Sequence, residues 1–472
     1  MSAPAAEDAR ESTRPGDGGD PVVVVGAGPA GLAAAEHLLD AGLDVVVLEA
    51  AGQVGGLSRS RTLWGRRYDL GPHSFWSTSH PESVARWLDL TGGRVERTAV
   101  RRAGVWRGQV VGFPPGPRDV LRVAGPAGAA RLAASRAAAR AGAPGARPGS
   151  APGGPRTAED ALVAHHGRAL VEELFAPYTR KYLGRSPAEL SPSFAARLLG
   201  SRTGWRGPVE LLTPVDGTGG VWEELARRLE RRGARVRLGA AVTGLDTAPG
   251  PDGTGRVTAV RLARPGHPDG EEVLRCRAVV STLPPGPLLR WLTGAADAAP
   301  AAPPAPAPAL RSRDTLLVHL LVEGRVGQDA HYVTAYDPSV RTGRLTNTRV
   351  WRPETFRGAG RTVLCAEFWS SGDDDLAAAG DADLVTLATS ELHLFGVRPQ
   401  VRILDADVLR LPRSVPVPAL GLEDARAALD ARLDRWANLA RVGRHGTHTW
   451  DGQEDSLLVG RSIGRHVLDL PA

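Results

Sequence analysis

Four consecutive apolar residues, Val22 to Val25, run straight into Gly26-Ala27-Gly28-Pro29-Ala30-Gly31, and a second apolar run, Val45 to Leu48, is closed by Glu49. The pattern predicts a strand, a glycine turn, a helix and a second strand. The first glycine permits the tight turn, the second lets backbone amides approach a pyrophosphate, and the third lets the helix lie close on the strand. The helix amino terminus suits phosphate charge. Glu49 is placed to accept the ribose hydroxyls of an adenosine and would repel a 2′-phosphate. Gly26, Gly28, Gly31 and Glu49 therefore form a candidate dinucleotide cradle that argues against NADP.

Beyond residue 100 the pattern changes. Residues 124–158 are Ala, Arg, Gly and Pro with little periodicity, read as helical to Arg140 and then as a mobile loop, 141–157. Helical spacing returns from Thr157 to Leu199, with Leu162, Leu170, Leu174 and Phe175 on one face. After a helix ending near Leu229, the segments Ala234–Leu238, Arg256–Leu262 and Glu272–Val280 read as a three-stranded meander. Residues 295–310 are almost all Ala and Pro, a semi-rigid linker. Leu316–Val322, His331–Tyr336 and Val363–Trp369 read as strands of a sheet able to wall a substrate cavity.

At 472 residues and 42% hydrophobic, the chain can build two or three domains around a large core. Its most apolar stretch is the glycine-broken cradle itself, so no transmembrane segment is expected. Residues 1–20 read as a disordered tail without the apolar run of a secretory signal, which predicts a cytoplasmic protein. Cys276 and Cys365 are too isolated for a disulfide framework or a metal site. A net charge of +6, with arginines interspersed among acids, gives no reason to expect a nucleic-acid partner. Lys181 is the only lysine.

The residues after Glu49 include a second glycine turn, Gly55-Gly56, followed by Arg59. This extension resembles the FAD-binding fingerprint of the amine oxidase superfamily, in its UDP-galactopyranose mutase and protoporphyrinogen oxidase-like branch. The resemblance implies an α/β protein with a Rossmann-like FAD-binding domain of the GR2 type, assembled from residues 21–100, 205–294 and 404–472. It further implies a helical insertion at 101–204 and a mixed-sheet substrate domain at 311–403. Gly55, Gly56 and Arg59 would lie along FAD, as would Gly443, Arg444, Asp455 and Ser456 in the segment that resembles the family's closing turn.

Gly71-Pro72-His73 resembles the mutases' turn against the flavin, which makes His73 a candidate to tune the flavin or relay a proton. The stretch from Pro177 to Arg197 resembles a long signature of the same branch. Carried over, Tyr178 stacks a substrate ring and Arg197 meets an anionic group, as a substrate-binding and catalytic candidate. Two positions depart from the mutases: Leu183 replaces a tryptophan, and Trp450 replaces a substrate-binding tyrosine. Arg341 and Arg344 fall on cavity-wall strands; they could clamp an anion, although a surface place is the plainer expectation in so arginine-rich a chain. The resemblance thus implies an FAD-dependent oxidoreductase acting on a small polar or anionic molecule, with a nucleotide sugar or sugar derivative among the candidates, in a biosynthetic pathway. The alternatives are a redox-neutral sugar mutase using reduced FAD, a protoporphyrinogen oxidase-like enzyme and an amine oxidase. Polyamine oxidases often place a lysine late in the substrate domain, and none is available there.

Overall fold

The computed structural model of the chain describes residues 19–142, 154–200, 209–250, 253–263, 270–297 and 310–459, with Ile463 and Val467. Much of the expected tail, the loop 141–157 and the Ala/Pro linker lies outside the described residues. Five strands form a parallel sheet in the order Leu439–Arg441, Ala278–Ser281, Val22–Val25, Val45–Glu49, Arg235–Leu238. Val22 and Val24 pack on one side against the helices Pro29–Asp40 and Thr218–Arg231, together with Trp87 and Trp222. Val23 and Val25 pack on the other against Val257, Val260 and Leu429. Burial on both faces explains why the first strand shows no polar alternation.

The expected meander is corrected in its membership. Arg235–Leu238 pairs in parallel with Val46–Glu49, and Ala278–Ser281 pairs with Val22–Val25. The antiparallel meander is instead Val242–Pro249, Gly255–Ala263 and Glu271–Arg275, which covers one face of the parallel sheet.

A second sheet has seven strands in the order Arg402–Pro416, Ser312–Glu323, Arg361–Ser370, Arg344–Asn347, Tyr332–Ala335, Arg102–Trp106, Gln109–Gly112. It is mixed, because Tyr332–Ala335 runs parallel to Arg102–Trp106. Two expected boundaries are corrected by its hydrogen bonding. The ladder between Ser312–Glu323 and Arg402–Pro416 continues well past residue 404, so that strand belongs to the cavity sheet. The segment 101–204 opens with a hairpin of this sheet before its helices begin. Those helices include Pro117–Gly142, kinked where Gly125 takes a φ of 70°, then Ala158–His166, Ala176–Leu183 and Pro192–Gly200. Leu162, Leu183, Phe194 and Trp369 join them to the cavity sheet. None of the described helices is long and apolar enough to cross a membrane.

Candidate active site

The central strand Val22–Val25 has one neighbour that follows it and one that returns from far along the chain, so a crevice opens at the carboxyl ends of the strands. A cleft of about 380 Å³ occupies that crevice. Gly26, Gly28, Gly31, Glu49, Gly56, Gly443, Arg444 and Ser456 line it, with His73. Its floor is backbone. A Cβ on Gly26, at φ +100°, would stand 2.1 Å from Thr282 Oγ1, and one on Gly31 would stand 1.9 Å from the Gly26 carbonyl oxygen. No side chain caps the amino terminus of the helix Pro29–Asp40, which leaves its first turn facing the cleft. Glu49 accepts hydrogen bonds from the amides of Ala27 (2.8 Å) and Ala51 (2.9 Å), which fix its carboxylate at the cleft wall.

Three expected cofactor residues are not on that wall. Gly55 and Arg59 pack on each other, and Arg59 Nη1 donates to the Gly56 carbonyl at 2.7 Å. They support the second glycine turn, whose Gly55 amide donates to Ala27 O at 2.8 Å. Asp455 turns its carboxylate to the Gly452 amide at 2.7 Å, capping the short helix Gln453–Ser456. Other residues had been missed: Ala240, Val242, Thr282, Gly452 and Gln453 also line the cleft. Thr282 was within reach of the sequence, since it follows an apolar strand. Val242 was not, because its place depends on the Ala240 amide meeting the Glu49 carbonyl at 2.8 Å.

Among the cleft residues, His73 has its Nε2 buried and without a hydrogen-bond partner among the described residues. Burial pushes the imidazole down to about 4; Asp69 opposes the shift, while Arg444 and Arg344 add to it. His73 is therefore neutral at neutral pH and able to donate or accept a hydrogen bond. Arg444 lines the same cleft, with Nε and Nη2 donating to the Asp451 carbonyl at 2.9 and 2.8 Å.

Beside Arg344, which is near enough to His73 to act on its pKa, stands an aromatic wall. Tyr178 and Tyr182, one helical turn apart, have ring centroids 5.5 Å from each other, and Tyr182 lies 4.5 Å from Trp369 and 5.6 Å from Trp450. Burial raises both tyrosine pKa values, so the hydroxyls stay protonated. Trp450 donates Nε1 to the Pro416 carbonyl at 2.6 Å and serves as packing for Phe194 and Tyr182. Arg344 is not a surface residue: Nε and Nη2 grip Glu367 at 2.9 and 2.6 Å. Arg341 is the exposed one, paired with Asp375 at 2.8 Å. Lys181 donates to the carbonyls of Ala335 (3.1 Å) and Asp337 (2.8 Å), and burial lowers it to about 8. The Arg197 side chain lies outside the described residues. Among those residues no group of His, Cys, Asp and Glu is placed to hold a metal ion.

Residues 29–419 match the family of flavin containing amine oxidoreductases. The chain belongs to that family. As a flavin-containing amine oxidoreductase it also has local relatives. A putrescine oxidase from Kocuria rosea is 56% identical over 50 residues, 11% of this chain and 10% of that protein. A carotenoid 3,4-desaturase from Haloarcula japonica is 48% identical over 54 residues, 11% of each. The chain thus aligns with about a tenth of the length of these relatives. Among solved structures, a reduced UDP-galactopyranose mutase superposes with a TM-score of 0.75 at 20% identity over 96% of both chains. A candidate protoporphyrinogen oxidase from Exiguobacterium sp. superposes with a TM-score of 0.71 at 18% identity, covering 96% of this chain and 99% of that one. At these identities the likeness is one of fold.

Buried histidines give this family member a pH signature. His73, His319, His331 and His448 are each depressed from 6.5 to about 4, in every case chiefly by burial. Between those values the unfolded chain binds more protons than the folded one, so stability is complete above about pH 6.5 and falls as pH drops toward 4. Denaturant unfolding at a series of pH values should show that loss, and a flat profile across the window would contradict the neutral assignments.

Proposed function

We propose that the chain binds FAD in the glycine-floored cleft and is an FAD-dependent oxidoreductase acting on a small polar molecule at the aromatic wall. The observation that carries this reading is a glycine-floored cleft lined by both Glu49 and His73, whose buried Nε2 has no partner among the described residues. Backbone glycines and an uncapped helix start suit a pyrophosphate, and Glu49 suits a ribose. FAD would supply the two-electron chemistry. The chain's own residues do the rest: neutral His73 offers one hydrogen-bonding nitrogen, and Tyr178, Tyr182 and Trp369 present flat faces and hydroxyls to orient a substrate. Two free, buried cysteines are compatible with action in a reducing, cytoplasmic compartment.

The test is an anaerobic titration of oxidised and prereduced enzyme with nucleotide sugars, sugar phosphates, amines, and uncharged sugars and alcohols. Bleaching of the oxidised flavin by one compound is the expected result and names the substrate class. An isomerised product formed only by prereduced enzyme, without consumption of reductant, would replace this reading with the mutase. His73→Ala should keep its flavin and lose about a hundredfold in turnover, in the range for a positioned proton-transfer group; unchanged turnover would return His73 to a packing role.

A further inference from the structure

Arg344 has little freedom left. Glu367 takes Nε and Nη2 in a two-point grip, and its carboxylate is only 3% exposed. The guanidinium carbon lies 5.6 Å from the Tyr332 ring centre and 5.8 Å from that of Trp369. Burial disfavours the charge, but Glu367 outweighs it and raises the Arg344 pKa. Nη1 has no acceptor among the described residues, and a quarter of the side chain remains open. Glu367 also lies close to the His73 turn, since a Cβ on Gly71 would stand 3.4 Å from its Oε1, and Arg344 is near enough to His73 to lower its pKa. Gly71 lies two residues before His73, so ion pair and imidazole share one wall.

We infer that Glu367 is a specificity-determining residue, which turns the Arg344 edge from an anion site into a donor for an uncharged hydroxyl or carbonyl group. This rests on the aromatic wall beside His73 being the substrate site. A phosphate at the open edge of Arg344 gains from the guanidinium and loses to the carboxylate behind it. An uncharged oxygen takes the same N–H bond without that repulsion, and its ring or carbon frame packs on Tyr178, Tyr182 and Trp369. Discrimination then comes from a repulsive element placed behind an attractive one. The chamber accordingly rejects nucleotide diphosphates and favours neutral oxygen-bearing molecules.

The probe is UDP, titrated at low ionic strength into full-length, flavin-loaded protein, with heat and flavin absorbance as readouts. Flavin content is measured first, so a chain that holds no FAD fails the underlying reading and not this inference. Wild type should show no saturable binding up to about 1 mM UDP, whereas Glu367→Gln should bind at least about tenfold tighter. Adding Arg344→Gln to that variant should abolish the gain, and Glu367→Asp, which keeps the charge, should show none. Saturable UDP binding by wild type in that range overturns the inference, as does a folded, flavin-replete Glu367→Gln without the gain. If Glu367→Gln does not fold, the wild-type titration decides alone.

Discussion

Gly31→Ala should give a protein that neither retains flavin nor reaches the wild-type unfolding temperature. The added methyl would lie 1.9 Å from the Gly26 carbonyl oxygen, a backbone contact that no rotamer change relieves. Gly26 cannot give way, because its amide is bonded to Leu48 O at 2.7 Å and Thr282 fills the space beside its Cα. The helix must therefore lift off the sheet. Its inner face, with Leu32, Ala34, Ala35 and Leu38 fully buried, would lose packing along its length. Overpacking of this kind costs about 3 kcal/mol, at the upper end of its usual range, since both partners are main chain. The same displacement tilts the helix start away from the cleft. Thermal unfolding and flavin content of the purified variant check the expectation together; stoichiometric flavin at an unchanged midpoint would show that the cradle does not depend on this contact.

Trp87→Ala should be nearly as severe for stability and should also slow catalysis from a distance. Trp87 is completely buried, stacked on Phe75 with ring centres 4.2 Å apart and planes within 8°, and its Nε1 donates to the Leu212 carbonyl at 3.0 Å. Removing such an indole costs about 3–5 kcal/mol. The Phe75 carbonyl in turn accepts the Leu212 amide at 2.9 Å, so this stack anchors the turn that presents His73 two residues earlier. A displacement near 1 Å there is worth up to about a hundredfold in rate. Trp222→Ala provides the control: Trp222 meets Trp87 edge-on at 6.0 Å in the same core. Both variants should lose stability, and only Trp87→Ala should lose kcat well below its own unfolding temperature. Equal kcat losses would mean that the stack does not position His73.

What could be read in advance follows from how local each determinant is. The cradle is written in contiguous residues, and its apolar runs, glycines and terminal acid sit in one short stretch. Arg402–Pro416 is the opposite case: it is mostly half-exposed and carries charged residues through its length, so it resembles surface chain until it meets Ser312–Glu323. Arg344 was misjudged for the same reason. Its partner Glu367 is opposite it only because two strands pair in that register, and nothing near Arg344 in sequence announces the pairing. The turn at His73 was legible, whereas its neutrality was not, since that depends on burial and on Asp69, Arg344 and Arg444 meeting around it. The helix start expected near Asp455 lies two residues earlier, at Gln453, where the Asp455 carboxylate meets the Gly452 amide.

The cleft walls come from residues 25–58, from His73, from 240–242, from 282–284 and from 443–456. The cleft wall therefore closes only once the strand Leu439–Arg441 and the turn after it have been made. Until then Ala278–Ser281 presents an unpaired edge in which three of four residues are apolar. A chain cut short before residue 439 is therefore expected to be sticky rather than merely inactive, and aggregation of a version ending at residue 438 would check it.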